Sequence, residues 1–370
     1  MKDNIISGNS RLACGCIETD DPIIFEATSR PWEVLSEPLG TQSFYNLKHY
    51  VATESVVLYR EYFSAPTRLR GISPPGMLVV VVPLQLGEGT RFFGRDPQSS
   101  VINFSAPGPL DAVVDAHNAH FILLMGVEFL QRELGEEATL LLETAVQRRS
   151  LAVEPEDFAA FCDWLDHILA TAGPRSARGQ VRRRIIRKAR PNPEKAEQLT
   201  AVLEHQMPRR LLALCRAPGR KLLRPRVGKS RSAVISRALD YLTNGPSSMP
   251  SVGELCQVAG AKQRTLEYAF EERFGLSPLR FVKVYRLHQV RRDLAAAKPR
   301  STRVADVAAA HGFRHLSRFS LEYKELFDEL PSKTLARKPR VVSAAPLICS
   351  SDFPLKQSPL RSSGVNAGTA

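Results

Sequence analysis

One short apolar pattern occurs twice near the C-terminal end of the chain and limits what this region can fold into. The first copy covers residues 252–260 (VGELCQVAG), and the second covers residues 304–312 (VADVAAAHG), 52 residues later. Each copy ends in glycine and is followed by apolar residues at every fourth position. The spacing predicts a short helix, a glycine turn and a longer helix, which is the helix-turn-helix arrangement.

The same spacing separates interior from exterior positions in each unit. The residues expected in the structural core are Leu255, Val258, Gly260, Leu266, Phe270, Val307, Gly312 and Phe319. Gly260 is expected to make the turn because glycine adopts positive φ without a steric cost. Ser251 and Glu254 have the spacing of a capping box, which predicts the start of the first helix.

The positions left on the outer, N-terminal face of each longer helix are mostly polar. In the first unit they are Lys262, Gln263, Arg264, Thr265, Glu267 and Tyr268. In the second unit they are Arg314, His315, Ser317, Arg318 and Leu321. A recognition helix contacts base edges with its N-terminal half, where Arg can bridge guanine and Gln can pair with adenine. Both sets are therefore predicted to contact DNA.

A long helix is predicted between the two units. Ser277 can cap it, Pro278 suits its first position, and the pattern continues to about residue 296. Nineteen helical residues span about 28 Å, close to the ~34 Å between successive major-groove faces on one side of a duplex. The basic residues expected on its outside are Arg280, Lys283, Arg286, Arg291 and Arg292.

Charge divides the chain into two unlike halves. Residues 1–170 contain 12 Lys/Arg and 23 Asp/Glu, whereas residues 216–340 contain 26 Lys/Arg and 11 Asp/Glu. A basic module joined to an acidic one is typical of a protein in which one part contacts a polyanion and the other does not. Double-stranded DNA is the expected partner of the basic half.

The front half has a different pattern, with short Val-, Ile- and Phe-rich runs between Gly, Pro and Asp turns. The predicted strands are 56–62, 77–82, 100–104, 112–114 and 121–125, and helical patterns follow at 128–134, 139–144 and 155–171. Residues 1–40 are expected to be loop-like. The fold class is α+β multidomain, with an N-terminal β-rich small barrel or sandwich with helices and a C-terminal all-α double helix-turn-helix.

Four domains or segments are expected from these patterns. They are an acidic β-rich sensor or partner domain at 1–170, a basic linker with one helix (about 194–215) at 171–231, the double helix-turn-helix domain at 232–340, and a disordered tail at 341–370. The stretch 216–231 is expected to be linker because two prolines interrupt its basic run.

Residues 232–340 resemble the DNA-binding domain of AraC-type transcriptional regulators. The resemblance rests on residues 255–260 (LCQVAG), 264–278 (RTLEYAFEERFGLSP), 286–287 (RL) and 304–320 (VADVAAAHGFRHLSRFS). The stretch from 264 to 294 looks most like the ethanolamine-operon regulator branch. The resemblance implies a transcriptional activator that contacts RNA polymerase, with a front domain that binds a small-molecule effector or a second subunit.

The sequence departs from that family at three places in the second unit. The usual glycine after Phe327 is Asp328, a frequent polar residue is Leu316, and a frequent arginine is Leu321. These departures favour phosphate contacts over base contacts for this unit. A nonspecific or architectural nucleic-acid-binding protein is accordingly the first alternative.

The second alternative is a cupin-like enzyme with a DNA-targeting appendage. Its only candidate metal ligands are His117 and His120 with Asp115 and Glu128. Residues 117 and 120 would face opposite sides of a strand, so no metal, cofactor or catalytic residue is expected. The aromatic residues Phe92, Phe93, Phe104 and Phe121 could line an effector pocket or form plain core. No leader, metal-spaced cysteine pair or membrane partner is expected, which predicts a reduced, cytoplasmic protein.

Overall fold

The computed structural model describes residues 12–29, 32–87, 89–92, 99–147, 150–173, 185–189, 191–223, 231–244, 249–299 and 301–336. A β-rich front part with helices precedes an all-helical C-terminal part, which confirms the predicted fold class. The sheets of the front part do not close into a barrel. The expected tail at 341–370 and most of the arginine-rich stretch 175–190 lie outside the described residues.

Thirteen strands are present among the described residues. They are β1 Ala13–Thr19, β2 Glu33–Pro38, β3 Asn46–Ala52, β4 Val56–Phe63, β5 Thr67–Ile72, β6 Met77–Gln85, β7 Arg91–Phe92, β8 Val101–Ser105, β9 Pro109–Val114, β10 Asn118–Gly126, β11 Ser150–Ala152, β12 Ile185–Ala189 and β13 Lys221–Leu223. A nine-stranded sheet has the order β12-β1-β3-β4-β10-β6-β8-β11-β13, and a four-stranded sheet has the order β2-β5-β9-β7.

The α-helices of the described residues lie between strands in the front part, mostly after β10, and form all of the C-terminal part. They are α1 Pro22–Thr28, α2 Val127–Leu134, α3 Ala138–Val146, α4 Pro155–Ala172, α5 Pro193–Ala201, α6 Met207–Arg216, α7 Arg231–Asn244, α8 Val252–Ala259, α9 Gln263–Phe274, α10 Pro278–Ala296, α11 Val304–Ala310, α12 Leu316–Phe327 and α13 Pro331–Ala336. A π-helical segment, Val202–Gln206, joins α5 to α6.

The large sheet is buried on both faces, and this explains the continuous apolar run of β6. Val80 and Val82 face one core, which α2 to α6 cover, while Val79 and Val81 face a second core between the two sheets. Successive side chains of a strand point to opposite faces, so a strand covered on both sides needs apolar residues at every position.

The structure differs from the sequence prediction at both ends of the front part. Residues 1–40, expected to be loop-like, contain β1, α1 and β2. The expected linker contributes β12, which pairs with β1, and β13, which pairs with β11. These short strands have weak local patterns, and their backbone groups are satisfied only by neighbours far away in the chain. The domain boundaries at 170, 231 and 340 stay predictions.

A charged pair lies inside the second core. Lys48 Nζ is 3.2 Å from Glu61 Oε1, and both side chains are almost fully buried. Lys48 also donates to Ser29 Oγ at 3.1 Å, and His120 Nε2 lies 3.6 Å from Glu61 Oε2. Burial by itself would raise the pKa of Glu61, but Lys48 and His120 hold that pKa below its usual value.

We predict that Glu61→Leu lowers the free energy of unfolding by about 3–5 kcal/mol, because it leaves the Lys48 ammonium buried without its carboxylate. The double variant Lys48→Met/Glu61→Leu should regain most of the loss, since it buries no charge. Urea unfolding of the full chain, followed by the fluorescence of Trp32 in the same core, measures both. Equal losses in the single and double variants would contradict this account.

Two apolar cores build the C-terminal part, and α10 contributes to both. Its first half places Phe281, Val284 and Tyr285 in a core with α7, α8 and α9. Its second half places Leu287 and Val290 in a core with α11, α12 and α13. The two helix-turn-helix units are therefore fixed to one rigid helix.

The four-stranded sheet packs against the helical part through ion pairs and a few apolar contacts. Arg68 on β5 pairs with Asp111 and also with Asp240 on α7. Arg273 on α9 lies 3.5 Å from Asp115, and Leu39 and Val113 belong to the core of the first unit.

The joining helix α10 takes part in the same contact, which corrects the expectation that its basic residues all lie outside. Arg286 is buried. Arg292 Nη2 lies 3.2 Å from Glu26 Oε1 and also donates to the carbonyl of Ser36. His288 Nε2 lies 3.2 Å from the carbonyl oxygen of Gly40. Sequence periodicity did not show this because the covering surface comes from residues more than 240 positions away.

We predict that the contact between the two parts weakens in mild acid. Burial lowers the pKa of His288 to about 4, and Arg291 and Arg292 add to the shift, although the hydrogen bond to Gly40 opposes it. Below the unfolded value of 6.5 the unfolded chain gains a proton that the folded chain does not take up until about pH 4. Stability from this group is therefore complete above pH 6.5 and falls between pH 6.5 and 4.

The measurement is the free energy of unfolding between pH 7 and pH 4 for the native chain and for His288→Gln. Glutamine keeps a donor for Gly40 but does not titrate, so the variant should show a shallower decline. Parallel curves for the two proteins would refute the assignment to His288.

Candidate nucleic-acid interface

The first helix-turn-helix unit has well-defined caps at its turn. Ser251 Oγ accepts from the backbone N–H of Glu254 at 3.2 Å, and the Glu254 carboxylate accepts from the backbone N–H of Ser251 at 2.7 Å, which confirms the capping box. Gly260 adopts φ +59°, the left-handed conformation that lets the chain turn sharply after α8. Arg237 of α7 donates to the carbonyl of Ala259 and so holds the end of α8.

Most of the residues expected in the core are buried. Leu255, Leu266, Phe270 and Phe319 are almost completely inaccessible, Val307 packs half-buried against the second core, and Gly312 has φ +85°. Val258 is an exception, since it is half-buried and does not join the apolar cluster of the first unit. Cys256 takes that place, because the inner stripe of α8 runs through residues 255, 256 and 259.

The six residues of the first unit that are predicted to contact DNA form an exposed, polar surface, which we call its reading face. Lys262 is the N-cap of α9, and the other five predicted contact residues lie along its first half and are exposed. Arg264 Nη2 lies 3.1 Å from Tyr268 Oη, and its guanidinium sits 5.4 Å from the Tyr268 ring. Gln263 donates to Glu267 at 2.8 Å. Arg264 is thus held by a neutral partner, and within the described residues it has no ion pair with a carboxylate.

The second reading face is also exposed but differs in chemistry. Arg314, His315 and Ser317 are exposed at the start of α12. Arg318 Nε bonds Glu322 Oε1 at 3.0 Å, and the same oxygen accepts from Lys283 Nζ of α10 at 2.8 Å. Two large apolar side chains stand in solvent on this helix, Leu316 at 44% and Leu321 at 64% exposure.

The role of Glu322 was missed by the sequence prediction, although its four-residue separation from Arg318 was a usable signal. Burial alone would raise the pKa of Glu322, but Lys283 and Arg318 hold that pKa below its usual value. Glu322 therefore stays ionised and ties the second reading helix to α10. The C-cap of α12 is Asp328, which adopts φ +52° at the position where the AraC-type pattern is expected to have glycine. Aspartate tolerates this conformation better than most residues.

The rival sites of the front half are not assembled. His117 lies in a turn with φ +58° beside Tyr62, while His120 points into the sandwich beside Glu61. Asp115 accepts from the backbone of Gly89, and Glu128 lies in the first turn of α2. Among the described residues, no group of three or more His, Cys, Asp or Glu side chains could hold a metal ion.

The aromatic residues expected to line one effector pocket are divided between two cores. Phe104 and Phe121 lie on the helix-covered face of the large sheet, Phe92 lies between the sheets, and Phe93 is outside the described residues. A cavity of about 40 Å³ borders Phe92, Lys48 and His120. That volume holds about one water molecule, so any larger effector would need side chains to move.

Two general features of the chain bear on the remaining expectations. The described cysteines, Cys14, Cys16, Cys162, Cys215 and Cys256, form no disulfide with one another. No helix in the described part of the chain combines the length and apolarity that crossing a membrane requires.

Comparison with known proteins supports the helical part of this description. Residues 255–337 match a family model described as a helix-turn-helix domain. The match falls on the stretch for which the sequence indicates an AraC-type resemblance, and it includes both reading helices.

The chain is also similar to individual regulators over the same region. It is 33% identical over 106 residues to a probable thc operon regulatory protein of Rhodococcus erythropolis, covering 29% of this chain and 32% of that protein. It is 30% identical over 100 residues to XylDLEGF operon transcriptional activator 2 of Pseudomonas putida, covering 27% of this chain and 64% of that protein.

A solved structure gives a similar partial match. A probable AraC family transcriptional regulator from Rhodopseudomonas palustris is 28% identical, with a TM-score of 0.25, covering 28% of this chain and 94% of that one. The match spans less than two thirds of the length of both the Rhodococcus protein and the Pseudomonas activator.

We predict that Arg264→Ala reduces the discrimination between a preferred duplex and a scrambled one by about 1–3 kcal/mol, as expected for loss of a bidentate base contact. Arg216→Ala, which removes the same charge from α6 of the front part, should leave discrimination unchanged. Titration of both duplexes at one salt concentration measures the difference. An equal loss on both duplexes would instead make Arg264 a phosphate contact.

Proposed function

We propose that this protein is a sequence-specific DNA-binding transcriptional regulator, most simply an activator, that reads two adjacent major-groove faces. One observation carries the proposal: two exposed recognition helices, α9 and α12, are held by one rigid helix that belongs to both of their cores. The basic excess of residues 216–340 supplies attraction to phosphate. The residues proposed to contact DNA are the two exposed sets described above.

A regulatory role is favoured over the alternative of an enzyme because the matched relatives are named as an operon regulatory protein and a transcriptional activator. Contact with RNA polymerase, a homodimer, a cytoplasmic location and membership of the ethanolamine-operon branch are further proposals, supported by the AraC-type resemblance of the C-terminal segment. The relatives reported above carry other operon names, so the branch has the weakest support of these.

The front part is proposed to sense a small effector or a partner. The ion pairs Arg68–Asp240, Arg273–Asp115 and Arg292–Glu26 support this role, because they join the four-stranded sheet and α1 of the front part to α7, α9 and α10 of the helical part. A ligand that moved this sheet would change those contacts and so shift the DNA-binding equilibrium.

The proposal is tested by selection of bound duplexes from a random pool with the full-length chain, followed by affinity measurements against salt. A specific regulator should enrich one sequence with two half-sites about one helical turn apart, and log K should fall steeply with log salt, by about 0.9 per neutralised phosphate. Salt-sensitive binding with no enriched sequence would favour the nonspecific alternative and reject this proposal.

A further inference from the structure

The two reading helices present different chemistry to solvent. On α9 the exposed residues of the first half are polar or carry a polar group, as in Gln263, Arg264 and Tyr268. On α12 the most exposed large apolar side chain of the described residues, Leu321, stands among polar neighbours at 64% exposure. On a helix proposed to bind DNA, a leucine exposed in this way is available to contact an apolar group of the ligand.

Helical geometry places Leu321 on the reading side of α12. It lies two residues beyond Phe319, which is buried in the second core, and a two-residue step rotates about 200° around a helix axis. Leu321 is therefore opposite the core and next to Ser317 and Arg318, four and three positions earlier. All three lie in the first half of this 12-residue helix, the part that approaches base edges.

Arg318, in the first half of α12, already has a partner. The Arg318 guanidinium is bound to Glu322, which Lys283 also holds at 2.8 Å. For Arg318 to bridge a guanine it would have to leave this carboxylate, whereas Leu321 has no bond to break. Leu321 can thus meet a base edge without breaking a contact, and it does so beside the exposed polar residue Ser317.

Only one base offers an apolar group in the major groove. Thymine carries a 5-methyl group there, while the other exposed base atoms are hydrogen-bond donors and acceptors. A leucine placed against those polar atoms would bury them without a partner, which is unfavourable. We propose that the second helix-turn-helix unit recognises thymine through contact of Leu321 with the 5-methyl group, so that its half-site contains a required T·A pair. This inference rests on the proposed function.

The experiment uses the full-length chain and a duplex recovered by the selection described above. Each thymine of the half-site bound by α12 is replaced in turn by deoxyuridine, which removes only the methyl group. One replacement should weaken binding about fourfold, the equivalent of ~0.8 kcal/mol for one buried methyl group. Leu321→Ala should bind the thymine duplex more weakly by a similar factor and should not respond to that replacement.

Two further variants sharpen the result. Leu222→Ala removes an exposed leucine from β13 of the front part and should respond to deoxyuridine as the native chain does. Leu321→Arg should exchange the thymine preference for guanine at the same base pair, because arginine bridges the acceptors of guanine.

Each outcome decides the matter. Loss of the methyl effect in Leu321→Ala alone supports the inference. Indifference of the native chain to every deoxyuridine replacement overturns it while leaving the proposed function intact. A Leu321→Ala variant that binds DNA normally but activates transcription poorly also overturns the inference. That result would assign Leu321 to a contact with another protein. Failure to select any duplex rejects the proposed function itself.

Discussion

The helix α10 is the element on which the C-terminal part depends. Phe281 and Tyr285 anchor the first unit to it, and Leu287 and Val290 anchor the second. Because one continuous hydrogen-bonded helix joins these two sets, the separation and rotation of the reading helices are fixed before DNA is met. Binding then costs little ordering of the protein, which is the benefit of a pre-formed interface.

The same helix also carries the contact to the front part. His288 and Arg292 face β2 and the Gly40 loop, while Phe281 and Leu287 face the helix-turn-helix cores. A helix covered on so many sides cannot be amphipathic in the simple sense, and its polar residues must be paired where they are buried. Any displacement of the four-stranded sheet would therefore act on α10 as well as on α7 and α9.

The two units divide the work of recognition by charge and polarity. Arg264 is held by the neutral hydroxyl of Tyr268, so it can turn to a base without separating an ion pair. Arg318 is held by Glu322, which also binds Lys283, so its charge is partly cancelled within the protein. On the proposed function, the first unit would accordingly be suited to hydrogen-bonded readout, and Leu321 would give the second unit an apolar contact.

Much of the C-terminal part could be predicted from the sequence. The fourfold apolar spacing, the glycine turn at Gly260 and the capping box at Ser251 are local features, and each depends on residues within one or two helical turns. For the same reason both exposed reading faces could be assigned before the structure was seen. The absence of Val258 from the core could not, because it depends on how α8 is rotated against its neighbours.

The front part shows what only the tertiary structure decided. The pairing of β1 with β12 and of β11 with β13, and the ion pairs that join the two parts, all bring together residues distant in sequence. The apolar periodicity of a sequence predicts whether a segment is a helix or a strand, but it does not predict which other surface packs against that segment. The sequence by itself therefore determined the two helix-turn-helix units, because their patterns are local. The burial of charged residues and the docking of the sheet on α10 were decided by the tertiary structure, because they depend on which elements pack against one another.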